Sequence, residues 1–481
     1  MSGYKKLHSI KKILLCVLCI LTVVFFACIN FMTCAFADDG TDIYGKLDNY
    51  LRTVFQNAHF PAMSVTVVDS NKTLYSSTYG SCQSSNTPFL LGSVSKSFTA
   101  LSVMQLVEQG KIDLNANLSE YIPNATDGDR ITVLQLLNHT SGLGEHQNLY
   151  NYKIVGKQGE HIYANVNYSL LGKIVEAVSG ATYGEYVREH IFEPIGMTDS
   201  YADLKTAEEN GLMYGYENWF GFNVKTEHKY PQSDKAWITV PAGYLSASTA
   251  DLGKYLQMYL NGGNGVISAE SINLMFYSNV AVEADIPYKY GMGWTLINEP
   301  LKEPALRHSG LLETGMSVVY ILPQSGIGIA IAINTNDYFV GKDMFDRIDW
   351  GVALMLMGDE TNLIGTNEYA LRHLMYDLAY FAVFAISILP LCLIAIYKKR
   401  LLKGKFWVKI LLLILLHLLL PVFILLLPQI FFATPLWVAQ AFVPDMFAVI
   451  IASSVLLFSG GIVKAVLLLR AKLTAGNSCA C

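Results

Sequence analysis

Leu91-Gly-Ser-Val-Ser-Lys-Ser-Phe-Thr-Ala100 is the stretch that decides how this chain is read. It sets a serine, Ser93, three residues ahead of a lysine, Lys96. On a helix, positions i and i+3 share a face, so the lysine amine can reach the serine hydroxyl. At a helix start the macrodipole favours a developing alkoxide and disfavours an ammonium. Serine becomes a useful nucleophile only when a neighbour takes its proton. The bare spacing also occurs at Ser9-Ile-Lys-Lys12, in a charged leader, so the surrounding sequence must decide.

The chain has 481 residues, 34 basic and 39 acidic, and 52% of it is hydrophobic. The apolar excess sits at the two ends. Lys5, Lys6, Lys11 and Lys12 precede an apolar run from Ile13 to Phe31, and Ala35-Phe36-Ala37 offers a small-residue cleavage site. Residues 1–37 therefore read as a signal peptide or an N-terminal anchor. Three further runs, Leu378–Tyr397, Phe406–Ile430 and Met446–Leu469, are each long enough to span a bilayer. Basic residues cluster in Lys398–Lys405 and in the tail, whereas Phe431–Asp445 has none. The positive-inside rule places both basic segments in the cytoplasm and the roughly 340 residues from Asp38 to Met375 outside. The expected division is a domain over 38–358, a linker over 359–375, three spans over 376–472 and a cytoplasmic tail over 473–481. The expected location is a cell membrane, crossed several times, with the large domain extracytoplasmic.

Of eight cysteines, only Cys82 falls in the external domain, so no disulfide is expected there and core burial must stabilise it. The histidines show no metal-ligand spacing, and no metal or cofactor is expected. Basic residues are scattered, which argues against nucleic acid as a partner. The bilayer is an expected partner, and the oligomeric state is left open.

Alternation in Met63–Val67 and Thr73–Tyr79 predicts two strands, and Ser93 opens a helix that Gly110 ends. A second helix is expected over Tyr168–Val178. Met316–Leu322 and Ile327–Ile333 flank the turn Pro323-Gln-Ser-Gly326 as a terminal hairpin. In the latter strand isoleucines alternate with Gly or Ala, which suggests a helix close against the small face, with Asp343–Met357 the candidate. Strands from both ends and helices between them predict an α/β sandwich built on an antiparallel sheet.

Tyr163-Ala-Asn165, directly ahead of the second helix, supplies a phenol that can relay a proton beside a lysine-lowered pKa, and an amide for the acyl side chain. Tyr216-Glu-Asn218 repeats the pattern in an aromatic, glycine-rich stretch and ranks second. His308-Ser-Gly310 precedes the terminal hairpin and offers a strand edge for substrate. His139 reads as structural, and Tyr244 and Trp294 read as core.

Gly92-Ser-Val-Ser-Lys96, Tyr163-Ala-Asn165 and His308-Ser-Gly310, in this order, resemble the class C β-lactamase-like serine hydrolases, the penicillin-recognising superfamily. Ile131–Leu143, Glu193-Pro-Ile-Gly-Met197 and Pro241-Ala-Gly-Tyr-Leu245 match alongside them. The resemblance covers about Tyr44 to Met357. It implies Ser93 as nucleophile, Lys96 and Tyr163 as the proton-transfer pair, and Asn165 and the His308-Ser309-Gly310 segment as substrate-binding. The backbone N–H groups of Ser93 and Leu311 would form the oxyanion hole. The three C-terminal spans resemble those of colibactin-type prodrug peptidases.

Two departures bear on substrate. Relatives that hydrolyse β-lactams carry lysine at the position of His308, and the prodrug peptidases carry an acid at the position of Leu90. The expected activity is hydrolysis of a small peptide, amide or ester through a Ser93 acyl-enzyme. A penicillin-binding sensor acylated without turnover, and a peptidase for a membrane-delivered precursor, are the alternatives.

Overall fold

The computed structural model describes residues 42–229, 231, 233–283, 287–299, 301–401 and 403–477. The expected leader, residues 1–37, and the end of the expected tail lie outside the described residues. The described residues divide into two compact units, one within 42–217 and 223–364, the other within 218–222 and 365–477.

The larger unit is organised by an eight-stranded antiparallel sheet. In chain order its strands are β1 (Ala62–Val68), β2 (Thr73–Gly80), β3 (Val280–Ala281), β4 (Tyr288–Gly291), β5 (Trp294–Ile297), β6 (Ala305–Leu312), β7 (Gly315–Leu322) and β8 (Ile327–Ile333). Their spatial order is β2-β1-β8-β7-β6-β5-β4-β3. The first and last strands of this sheet in chain order thus pair inside it, second and third from one edge, with Met63 opposite Ile333. This is the antiparallel sheet fed from both ends that the pattern predicts.

The two faces of β8 are chemically different. Gly328, Ala330 and Ala332 face helix α4 (Thr249–Leu260): a Cβ at Gly328 would come 2.8 Å from Leu256 Cβ. Ser64 and Thr66, their partners across β1, hydrogen-bond the Thr249 hydroxyl at 2.6 and 3.1 Å. The small face therefore receives α4 and not the expected helix near Asp343–Met357. That helix, α5 (Gly341–Leu356), lies on the opposite face with α1 (Ile43–Ala58), where Tyr50 donates to Arg347 O at 3.2 Å. The isoleucine pattern reveals a two-faced strand, but it does not say which distant helix takes which face.

Helix α2 (Ser95–Glu108) is buried nearly all round, including Ser95, Ser97, Thr99, Ser102 and Gln105. A single apolar stripe is expected of a surface helix, so α2 is a central one. Its buried hydroxyls stay satisfied locally: Ser97 donates to Val94 O and Ser102 to Phe98 O, both at 2.9 Å. Helix α3 runs over Asn165–Ser179, three residues earlier than the apolar pattern indicates, and Gly180 ends it in a left-handed conformation. Cys82 is free and buried.

The other unit contains three helical segments long and apolar enough to cross a membrane: Glu368–Lys399, Phe406–Phe432 and Pro444–Thr474. The first already begins at Glu368, inside the stretch expected to be linker. His417 sits in a wide turn, Leu415–Leu419, and its Nδ1 hydrogen-bonds Leu457 O at 2.7 Å. A Cβ on Gly461 would come 2.4 Å from His417 Cβ, so a glycine is needed for this approach.

Candidate active site

Ser93 stands in a single 3-10 turn, Gly92–Val94, that feeds directly into α2. It is therefore just ahead of the helix it was expected to open. The turn is pinned from both sides. Leu91 N donates to Leu245 O at 2.9 Å, and Leu91 O accepts from Ser317 Oγ at 2.6 Å. Gly92 adopts φ +54, and a Cβ there would lie 2.6 Å from Leu311 N. A Cβ on Gly310 would lie 1.9 Å from Leu91 O. Two glycines thus let β6 press its backbone against the serine turn. β5 pairs with β6 only over residues 305–307, so from His308 onward that side of β6 is not covered by β5.

Lys96 is wholly buried, and its Nζ has three close oxygens: Ser93 Oγ at 3.0 Å, Asn165 Oδ1 at 2.8 Å and Ala242 O at 2.6 Å. Burial holds its pKa well below the ordinary lysine value. A neutral amine has two hydrogens and one lone pair. Asn165 Oδ1 and Ala242 O can only accept, so they take both hydrogens. The lone pair is left for the Ser93 hydroxyl, which must be the donor. The arrangement orients a base toward one proton.

Tyr163 lies in the extended segment before α3, its ring centroid 4.9 Å from Lys96 Nζ. Its hydroxyl has the Ser93 side chain as a hydrogen-bonding neighbour. Burial pushes the phenol above its ordinary value. The expected lowering beside a lysine is corrected here: a neutral Lys96 supplies no positive charge, so desolvation dominates. Tyr163 is a phenol that keeps its proton.

Asn165, expected to meet substrate, uses Oδ1 on Lys96. His308 is 4% exposed and lies on the same face of β6 as Gly310; its Nδ1 bonds Gly293 O at 2.5 Å. Nδ1 must carry the proton, which leaves Nε2 as an acceptor. Burial brings the imidazole down to about 3, so it is neutral. Ser309 and Leu311 alternate with it on the half-exposed face of β6. Arg307 turns to the other side of the sheet and pairs with Asp349 at 2.5 Å. Leu90 is buried on strand Pro88–Leu90. Tyr216 lies on strand Gly215–Trp219, which pairs in parallel with Thr335–Asn336 in a separate sheet. Trp294 packs edge-on against Tyr259 and Phe276, as a core residue.

One participant was not legible in the sequence: the Ala242 carbonyl, within the quoted Pro241–Leu245 segment but invisible as chemistry because it is backbone. His139, read as structural, has a holding role near Tyr163. Its Nδ1 accepts from Ala164 N at 3.2 Å and Asn167 Nδ2 at 2.9 Å, and its ring lies 4.4 Å from that of Tyr163. His139 is fully buried with φ 57, an unusual backbone for a side chain of this size. It holds the Tyr163–Asn165 segment against Lys96. No cluster of metal-binding side chains occurs among the described residues.

A family model described as Beta-lactamase matches residues 47–349, more than half of the chain. The chain belongs to this family. Among relatives of this Beta-lactamase-family protein, the protein flp of Staphylococcus aureus (strain MW2) is 25% identical over 334 residues, which cover 63% of the chain and 65% of flp. The chain thus spans just under two thirds of the length of that relative. A putative penicillin-binding protein, PbpX of Bacillus subtilis (strain 168), is 35% identical over 125 residues, 23% of the chain and 32% of PbpX. The octameric penicillin-binding protein homologue from Pyrococcus abyssi superposes with a TM-score of 0.58 at 27% identity, covering 66% of this chain and 78% of that one. A class C β-lactamase in complex with cefoxitin gives 0.55 at 19% identity over 66% and 98% of the two chains, a likeness of fold.

Proposed function

We propose that this protein is a membrane-tethered, extracytoplasmic serine hydrolase that cleaves an amide or ester through an acyl-enzyme on Ser93. The observation that carries the reading is the buried Lys96 amine, whose Nζ lies 3.0 Å from Ser93 Oγ, 2.8 Å from Asn165 Oδ1 and 2.6 Å from Ala242 O; once neutral, with its hydrogens on the two carbonyl oxygens, it turns its lone pair to Ser93 Oγ. The fold shared with the penicillin-binding protein homologue, and the family membership, support it.

In this mechanism Ser93 Oγ bonds to the carbonyl carbon as its proton passes to Lys96 Nζ. The carbonyl oxygen takes up negative charge beside the N–H groups of Ser93 and Leu311, which supply the electrostatic stabilisation such a step needs. Tyr163 gives its proton to the departing nitrogen or oxygen and recovers one from Lys96, which ends the acylation step neutral. Water then enters by the reverse order: Tyr163 passes its proton to Lys96 and takes one from water, the hydroxide adds to the acyl carbon, and the bond to Ser93 breaks with the Lys96 proton returned to Oγ. His308 Nε2 and the Asn165 amide hold N–H and C=O groups of the substrate. A neutral imidazole gives no attraction to a substrate carboxylate, so peptides, amides and esters suit this site better than penicillins.

The test is covalent labelling of the purified full-length protein by a fluorophosphonate. Wild type should label at Ser93 and Ser93→Ala should not; equal labelling of the two removes this assignment.

A further inference from the structure

The groups that meet at Ser93 carry no net charge. Lys96 is neutral, Tyr163 keeps its proton, His308 is neutral and Asn165 is an amide. The nearest arginine in sequence, Arg307, is turned away and held by Asp349 and Asp346. Two carboxylates are coupled to groups of the site or to its neighbours. Glu145, in the loop after Leu143, acts on Tyr163. Glu313, in the turn between β6 and β7, accepts a hydrogen bond from Tyr244.

Glu313 is tied to the nucleophile through two short backbone routes. It lies two residues beyond Leu311, whose N packs against Gly92. Its Oε2 accepts from the Tyr244 hydroxyl at 3.1 Å. Tyr244 in turn follows Gly243, where a Cβ would come 3.7 Å from Gly92 C, and Ala242, which binds Lys96. The carboxylate is half-buried and, among the described residues, belongs to no ion pair; Lys229, the basic group that acts on it, is bonded to Glu217 at 2.8 Å. Burial raises the Glu313 carboxyl accordingly. A partly desolvated carboxylate whose donors are its own backbone N–H and the Tyr244 hydroxyl, both neutral, gains most from a cation that fills its remaining lone pairs.

We propose that Glu313, oriented by Tyr244, binds a protonated amine of the substrate, so that the substrates are amides or esters bearing a free ammonium group near the scissile carbonyl. The inference rests on the hydrolase reading and narrows it. Leu90 is apolar and buried, so it offers no competing site for the amine. Glu145, which acts on Tyr163, adds negative potential to the site, whereas a substrate carboxylate would meet repulsion.

The test uses two small amides that differ in charge and hardly in shape: alaninamide, protonated at slightly acidic pH, and lactamide, neutral. Each enantiomer of each protects full-length protein in detergent against fluorophosphonate labelling of Ser93. A charge-assisted hydrogen bond predicts half-protection by one enantiomer of alaninamide at a concentration about ten-fold below that of lactamide. Glu313→Gln should bring the two amides within about two-fold, a neutral hydrogen bond being all that is left, and Glu313→Asp should keep the order. Equal protection in wild type, or a preference that survives Glu313→Gln, overturns the proposal. Thermal shift with the same two amides reads the binding independently of the nucleophile. Failure of wild type to label removes the hydrolase reading, and thermal shift still decides whether Glu313 selects the ammonium.

Discussion

Ser93 Oγ and Lys96 Nζ lie 3.0 Å apart, the serine in the 3-10 turn and the lysine in the first turn of α2 that follows it, yet their relation is set by two other elements. Asn165 at the start of α3 and Ala242 in a separate turn take the amine hydrogens. An amine on a helix and a hydroxyl beside it would otherwise exchange hydrogen bonds in either direction. Here one direction is imposed.

The acid–base behaviour of Lys96 follows from this. A protonated amine has no lone pair, so Ser93 labelling by a neutral fluorophosphonate should fall as pH drops through the lowered lysine pKa. His308, at about 3, should add no inflection near neutrality. Stability runs in the same direction. Below the ordinary lysine value of 10.5 the unfolded chain holds a proton that the native state lacks, so stability rises with pH between the folded value and 10.5. Lys96→Met should reduce that slope in denaturant titrations and slow labelling by about 10²–10⁴-fold, the usual worth of a positioned base.

The close approach of β6 to the serine turn makes Gly310→Ala a sensitive probe. Its Cβ would meet the Leu91 carbonyl, a backbone atom that cannot rotate aside. The expected loss is about 1–3 kcal/mol in chemical denaturation, typical of overpacking, together with loss of Ser93 labelling. Wild-type labelling by a folded Gly310→Ala protein would show that the turn tolerates displacement.

His139 positions the Tyr163–Asn165 segment by accepting two N–H groups. His139→Phe preserves the ring but strands the Ala164 and Asn167 donors. The maximum labelling rate should drop by at least about ten-fold, in line with one or two lost hydrogen bonds, while half-saturation by the probe moves little. His139→Gln, which retains an acceptor, should recover part of the rate. If both variants lose binding and rate together, the residue supports the fold only.

On the far face, Arg307, Asp349 and Tyr320 form a buried polar group on the side of β6 turned away from His308: Tyr320 donates to Asp349 at 3.1 Å. Arg307→Leu leaves a carboxylate buried without its partner and should destabilise the protein by about 3–5 kcal/mol. Replacing both, as Arg307→Leu with Asp349→Leu, should restore much of this. Differential scanning calorimetry of the single and double variants decides it, and equal losses would show that the pair is not coupled.

Local chemistry was legible from residue order alone. Period-two alternation marked β1, β2, β7 and β8, helical spacing marked α2 and α3, and long uninterrupted apolar runs marked the three segments able to span a bilayer. These are short-range properties: a strand must alternate, a helix must repeat, and a span must exclude charge. The residues Ser93, Lys96, Tyr163, Asn165 and His308 could also be nominated, because their types and spacing suit one chemistry.

What tertiary structure decided was where each of these groups stands relative to partners far away in sequence. It placed α4 on the small face of β8 in place of α5, since a glycine can receive a helix without naming it. It supplied the Ala242 carbonyl, which has no side-chain signature, and it kept the Tyr163 proton on by enclosing the phenol beside an uncharged amine. Desolvation and the pairing of backbone atoms are properties of the packed volume. The sequence alone determined which residues could react; packing alone determined which proton each of them carries.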